Sequence, residues 1–142
     1  FYPPAFRTSL QMTMKQLLNM NPGLLVNFKN LQNNLKRLHQ AGASITPGTD
    51  SPFVPYGTSL HVEMQNLADG GIAPFDVLRA ATARAAEVVG VGKDLGTVEP
   101  GKLADLIIVD GDPLRNVRDA WNVVWVVKNG AVYSVEELLK RP

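Results

Sequence analysis

The chain has 142 residues, enough for one domain with its own core. Apolar residues make up 45% of it, which argues against disorder, and 14 basic against 13 acidic residues form no clustered basic stripe, so nucleic acid is not an expected partner. Cysteine is absent, which excludes disulfide frameworks and fits a cytoplasmic location, and no apolar run approaches the roughly 18–20 residues of a membrane span.

Phe1-Tyr2-Pro3-Pro4 has neither the basic nor the apolar region of a signal peptide, and the numbering is expected to begin inside a longer gene product or after processing. Pro3-Pro4 and Pro22-Gly23 mark turns, with a short helix expected between Met12 and Met20. Asn27 is expected to cap a longer helix in which Phe28, Leu31, Leu35 and Leu38 recur as one apolar stripe. Lys36, Arg37 and His39 suit the negative end of its dipole, and Gly42 is placed to end it. His39 reads as a residue of the helix end rather than as a metal ligand.

A strand is expected over Ala43–Thr46, after a short αβ loop. It runs through Pro47-Gly48 to Asp50. A buried strand ending at one acid delivers a carboxylate to its C-terminal rim, where α/β barrels keep their chemistry. A carboxylate fixed there can take a proton from a metal-bound water. The same Gly-Thr-Asp-Ser stretch also reads as a plain turn, with Asp50 bonding nearby backbone N–H groups. The following loop, 51–57, carries Phe53 and Tyr56. Two readings stand for it: contact with substrate, or aromatic packing against neighbouring helices.

Thr58 or Ser59 is expected to cap the next helix, with Leu60, Met64, Leu67 and Ala68 on its buried face and Gly70-Gly71 at its end. His61 and Glu63 stand two positions apart, about 200° around a helix, and cannot share a metal from one face. Either can still reach toward Asp50 from the helix start, or simply make a satisfied polar contact there. Pro74 suits a first helical position, with Val77, Leu78 and Ala81 as a core stripe. Thr82 interrupts this helix and is expected to cap a second, running toward Gly90.

From Leu95 the texture changes to short strands and tight turns. Glu99-Pro100-Gly101 predicts a type II turn. The branched run Leu106-Ile107-Ile108-Val109 predicts a fully buried strand, ended by Asp110-Gly111-Asp112-Pro113. Asp105, Asp110 and Asp112 lack the spacing of a calcium loop and read as turn residues. Val123–Val127 predicts a strand, Asn129-Gly130 a type I′ hairpin turn, and Ala131-Val132-Tyr133 its return. Ser134 with Glu137 is a capping box for a short terminal helix.

Taken in order, Thr46-Pro47-Gly48-Thr49-Asp50-Ser51, Leu60-His61-Val62-Glu63-Met64, Pro74 through Thr82, Gly96 through Leu106 and Val127-Lys128-Asn129-Gly130 form an ordered set. This set resembles the C-terminal portion of the metal-dependent amidohydrolase superfamily, in its imidazolonepropionase-like and prolidase-like branch. The resemblance implies an α/β fold: a (β/α)8 barrel joined to a small β-sandwich that takes strands from both ends of the chain. On that reading residues 1–92 are the last βα units of the barrel. Residues 93–142 are the C-terminal part of the sandwich with a short terminal helix. The resemblance places Asp50 where the family's eighth-strand Asp binds the metal, zinc or a similar divalent ion, and acts as general base. Ser51, Tyr56 and His61 are then candidate neighbours of a small-molecule substrate.

The family's other ligands have no counterpart here. Its His-x-His pair, bridging Lys or Glu, and fifth- and sixth-strand histidines cannot be placed, since His39 and His61 are the two histidines of the chain. A catalytic zinc usually has about three protein ligands. The expectation is therefore part of a hydrolase of amide-type C–N bonds, cyclic amides or Xaa-Pro-like dipeptides, inactive as this chain alone. The alternative is a non-catalytic, self-associating structural module. In either case the bare strand edges and apolar surface imply a partner, a second copy or a missing N-terminal half.

Overall fold

Leucines at helical spacing and a glycine-marked end produce the first described helix, α1, Gly23–Gln40. The computed structural model describes residue 19 and residues 23–50 and 57–140. Apart from residue 19, the short helix expected within Met12–Met20 lies outside the described residues, as does the 51–56 loop with Ser51, Phe53 and Tyr56. Helix α1 begins four residues before the expected cap, so Asn27 lies within it. Each residue added to a growing helix gains one hydrogen bond, which favours extension past a single capping residue. At its other end Gly42 N–H donates to His39 O and Ala43 N–H to Leu38 O. Of the expected stripe, Leu35 packs against the core, while Phe28, Leu31 and Leu38 are exposed.

Residues 43–50 form no strand. This corrects the expected strand at Ala43–Thr46. A strand exists only through ladder bonds to a neighbour, and none of the described residues offers one to this segment. Ile45 nevertheless packs against the core, so the segment is held by its apolar side chain.

Helices α2, Thr58–Asp69, α3, Pro74–Ala81, and α4, Ala83–Val88, follow. Gly57 takes the N-cap position of α2, with no side-chain cap bond, in place of the expected Thr58 or Ser59. Leu60, expected in the buried face, lies at the exposed end of the helix, whereas Met64 and Leu67 are buried. Gly70 N–H donates to Asn66 O and Gly71 N–H to Ala68 O, ending α2 where the paired glycines predict. Pro74 opens α3. Thr82 divides α3 from α4 without capping by its side chain; its hydroxyl donates back to Leu78 O at 2.7 Å. That backward bond competes with capping for the same hydroxyl.

Met64, Leu67, Ile72, Val77, Ala80, Val117 and Ala120 make one core. Val77 is its fully buried member. The core is therefore built by α2 and α3 together with a 3₁₀-helix, Val117–Trp121, absent from the sequence reading. Asn116 opens that turn by accepting from Arg118 N–H at 3.2 Å.

Strands β1, Leu106–Val109, β2, Val123–Lys128, and β3, Ala131–Ser134, form an antiparallel sheet in the order β1-β2-β3. Ile107 pairs with Val126, and Val126 with Tyr133; Ile108 pairs with Trp125, and Trp125 with Ser134. The register shifts between Ile108 and Val109, which is a bulge at the end of β1. Strand β1 is not fully buried as its branched run predicts: Ile107 and Ile108 are 55% and 50% exposed. It is an edge strand, and the described residues leave apolar side chains open on both faces of the sheet. The Asn129-Gly130 turn joins β2 to β3 with φ values of 51° and 80°, as a type I′ turn requires. Asp105 holds that turn from outside, accepting from Asn129 N–H at 2.8 Å and pairing with Lys128. These donors, the Asn129 amide foremost, hold its carboxyl below the usual carboxylate range. Helix α5, Val135–Lys140, starts from the expected capping box: Glu137 N–H donates to Ser134 Oγ at 3.1 Å and Ser134 N–H to Glu137 Oε2 at 2.8 Å.

Candidate functional site

The segment after α1 carries Ile45 into the core and then turns outward through Pro47-Gly48 to Asp50. Asp50 has φ 45°, in the left-handed region. Asp tolerates that region better than most residues, because its short side chain can bond locally. Its carboxylate is solvent-facing.

Glu63, in the second turn of α2, feels that charge. Burial first, and then the Asp50 carboxylate, push the Glu63 carboxyl above its usual range. His61 points elsewhere. Its ring stacks on Trp121 with centroids 4.6 Å apart and planes at 29°. Burial lowers its pKa from the ordinary imidazole value. His61 Nδ1 and, one turn on, Gln65 Oε1 are buried without a hydrogen-bond partner among the described residues. The angular separation of His61 and Glu63 read from the sequence is thus realised as two different jobs. Glu63 lies within electrostatic reach of Asp50, and His61 joins α2 to the 3₁₀-helix.

The structure leaves Asp50 and Glu63 within electrostatic reach of each other and takes the His61 ring into a stack. Ser51 and Tyr56, the other candidate substrate contacts, lie outside the described residues. His39 approaches Asp76 of α3, with Nε2 3.6 Å from Oδ2. Asp112 accepts from Leu114 N–H at 3.1 Å, while its own N–H donates to Asp119 Oδ2 at 2.9 Å, which is turn chemistry. Trp121 is the partner that the sequence reading missed. The available signal was Asn116 followed by Val117, Ala120 and Trp121, a cap before apolar residues three and four apart.

Among the described residues no three His, Asp or Glu side chains come together as a metal ion requires. Asp50 and Glu63 supply two carboxylates at most, and the described donors do not by themselves fit a divalent metal. No described helix is long and apolar enough to cross a membrane.

Over 82 residues the chain is 30% identical to an imidazolonepropionase of Geobacillus sp., covering 54% of this chain and 19% of that protein. Over 81 residues it is 40% identical to a 5-methylthioadenosine/S-adenosylhomocysteine deaminase of Natronomonas pharaonis, covering 51% and 18%. Its structure is similar to that of a Xaa-Pro dipeptidase with methionine bound in the active site, with TM-score 0.67 and 30% identity over 72% of this chain and 25% of that one. The chain thus spans about a fifth to a quarter of the length of these relatives. A sequence model of the Amidohydrolase family matches residues 27–132, three-quarters of the chain, and the chain belongs to that family.

Proposed function

We propose that the chain is part of a cytoplasmic, metal-dependent hydrolase of amide-type C–N bonds, with Asp50 as its proton carrier. In this reading residues 1–92 belong to the last βα units of a barrel and residues 93–142 to a small β-sandwich. Asp50 takes a proton from the attacking water as the O–C bond forms, and delivers it to the nitrogen as the C–N bond breaks. The substrate is a small cyclic amide or an Xaa-Pro-like dipeptide. The relatives' names support that class, and the deaminase among them keeps the reaction at a C–N bond. The observation that carries the reading is the position of Asp50, an exposed acid at the end of the segment that leaves the core at Ile45, within electrostatic reach of Glu63. The remaining metal ligands come from outside the described residues, and the chain alone does not turn over substrate.

The test is Asp50→Asn in a protein that carries this chain within the full length of its relatives. The expected loss in kcat is about 10²–10⁴-fold with KM little changed. Turnover close to that of the unsubstituted protein refutes the assignment.

A second reading has its own observation. Ile107, Ile108, Val124, Trp125 and Val132 of the described sheet are 43–59% exposed, an apolar surface of the kind that partners cover. It favours a structural module that associates with a second copy or with the rest of a hydrolase. A strictly monomeric chain in sedimentation at micromolar concentration refutes that.

A further inference from the structure

At the other end of the Asp50 segment, between the C-terminal end of α1 and the α3–α4 corner, lies a small cleft of about 160 Å³. His39, Ser44, Asp76, Arg79 and Arg84 line it, together with buried Ile72 and Ala80. Its charges do not cancel. Two arginines and one aspartate line it, and the aspartate's carboxylate stands 3.6 Å from His39 Nε2. Arg79 pairs with no carboxylate among the described residues; its guanidinium lies 5.8 Å over the Phe75 ring. Arg84 reaches Glu87 at 3.4 Å, with both side chains open to solvent at 43% and 57%. Such an exposed pair is weak and is readily exchanged for another anion. The Ser44 hydroxyl adds a neutral donor.

Size limits the ligand. Drug-sized molecules occupy roughly 300–1,000 Å³, well above this cleft. An oxyanion of four or five heavy atoms displaces two or three waters, about 60–90 Å³, and fits with a water to spare. Planar guanidinium forks match the oxygen pairs of phosphate and carboxylate. We infer that this cleft binds a small oxyanion of the phosphate or carboxylate class between Arg79 and Arg84, with Asp76 as the built-in competitor that keeps the affinity low. The site is separate from the Asp50 turn and does not depend on the reading of that turn.

The experiment titrates the 142-residue chain with inorganic phosphate, and separately with acetate, against sodium chloride at matched ionic strength. The backbone amide resonances of Ser44 and Arg84 report binding. A saturable shift is expected for phosphate or acetate, with a dissociation constant of about 1–10 mM, and none for chloride. Tighter phosphate assigns the phosphate class, and tighter acetate the carboxylate class. Arg79→Gln and Arg84→Gln each weaken binding about tenfold. Arg115→Gln, on an exposed turn elsewhere, leaves it unchanged. Asp76→Asn tightens it several-fold, a gain that an unfolded variant cannot imitate. The inference is overturned if neither anion saturates below about 50 mM. It is also overturned if Arg115→Gln weakens binding as much as Arg79→Gln, or if Asp76→Asn fails to tighten it.

Discussion

Gly96 is where a single methyl group meets backbone that cannot move aside. Its φ is 96°, and a Cβ built there lies 2.7 Å from Ala86 Cβ, 3.0 Å from Ala83 Cα and 3.1 Å from Thr82 O. Two of these atoms belong to the backbone around α4, so relief requires shifting the helix. Gly101, in the Glu99–Lys102 turn, has nearly the same φ of 92° and no atom within 4 Å of its added Cβ. The two glycines thus separate conformational strain from steric contact. At Gly101, alanine incurs about 1–2 kcal/mol of left-handed strain, offset by about 0.4–1 kcal/mol from a less flexible unfolded chain. The net loss is about 1 kcal/mol. Gly96→Ala carries that loss plus an overpacking cost of about 1–3 kcal/mol, giving about 2–4 kcal/mol in all. With a urea slope of about 2 kcal/mol/M, the midpoint falls by about 1–2 M for Gly96→Ala and by about 0.5 M for Gly101→Ala. Urea unfolding followed by circular dichroism reads both. Equal midpoints for the two variants would refute the steric argument. A further check is Ala86→Gly, which should recover part of the Gly96→Ala loss although it destabilises α4 on its own.

Val77→Ala removes two methyl groups from the one fully buried side chain of the described core and should cost about 2–3 kcal/mol, read by the same unfolding curves; a loss below about 0.5 kcal/mol would mean that the site collapses freely. Trp121→Ala uncovers the His61 ring, so an NMR titration should find the His61 pKa rising toward the ordinary value of about 6.5. The sign for stability follows from burial. His61 binds its proton more readily unfolded than folded, so its contribution is full above about pH 6.5 and declines as the pH falls toward the lowered folded value. In Trp121→Ala that decline should shrink, and an unchanged His61 titration would show that the stack is not what buries the ring.

Local hydrogen-bond chemistry was the most legible part of this chain. Gly42 and Gly70-Gly71 end their helices, Pro74 opens one, Asn129-Gly130 turns the hairpin and Ser134 with Glu137 caps the last helix. Each of these is settled within a few residues, by a missing Cβ, a fixed φ or one side-chain acceptor, so sequence spacing suffices to read it. The ordered segments of the family were legible for a related reason. They are turn and helix-start motifs, and the match over residues 27–132 runs through them.

What needed the tertiary structure was everything decided by a distant neighbour. Leu106–Val109 has the composition of a strand covered on both faces, yet Ile107 and Ile108 stand half exposed, because burial depends on what packs above a strand and not on the strand itself. Ala43–Thr46 has strand composition but no ladder, since its backbone bonds need a partner strand. At the candidate site the sequence determined which side chains are available: Asp50, His61 and Glu63. Their separation around α2 was readable, but its use was not. The structure stacked His61 on Trp121, sixty positions away, because only the packing of the 3₁₀-helix against α2 brings those two rings together.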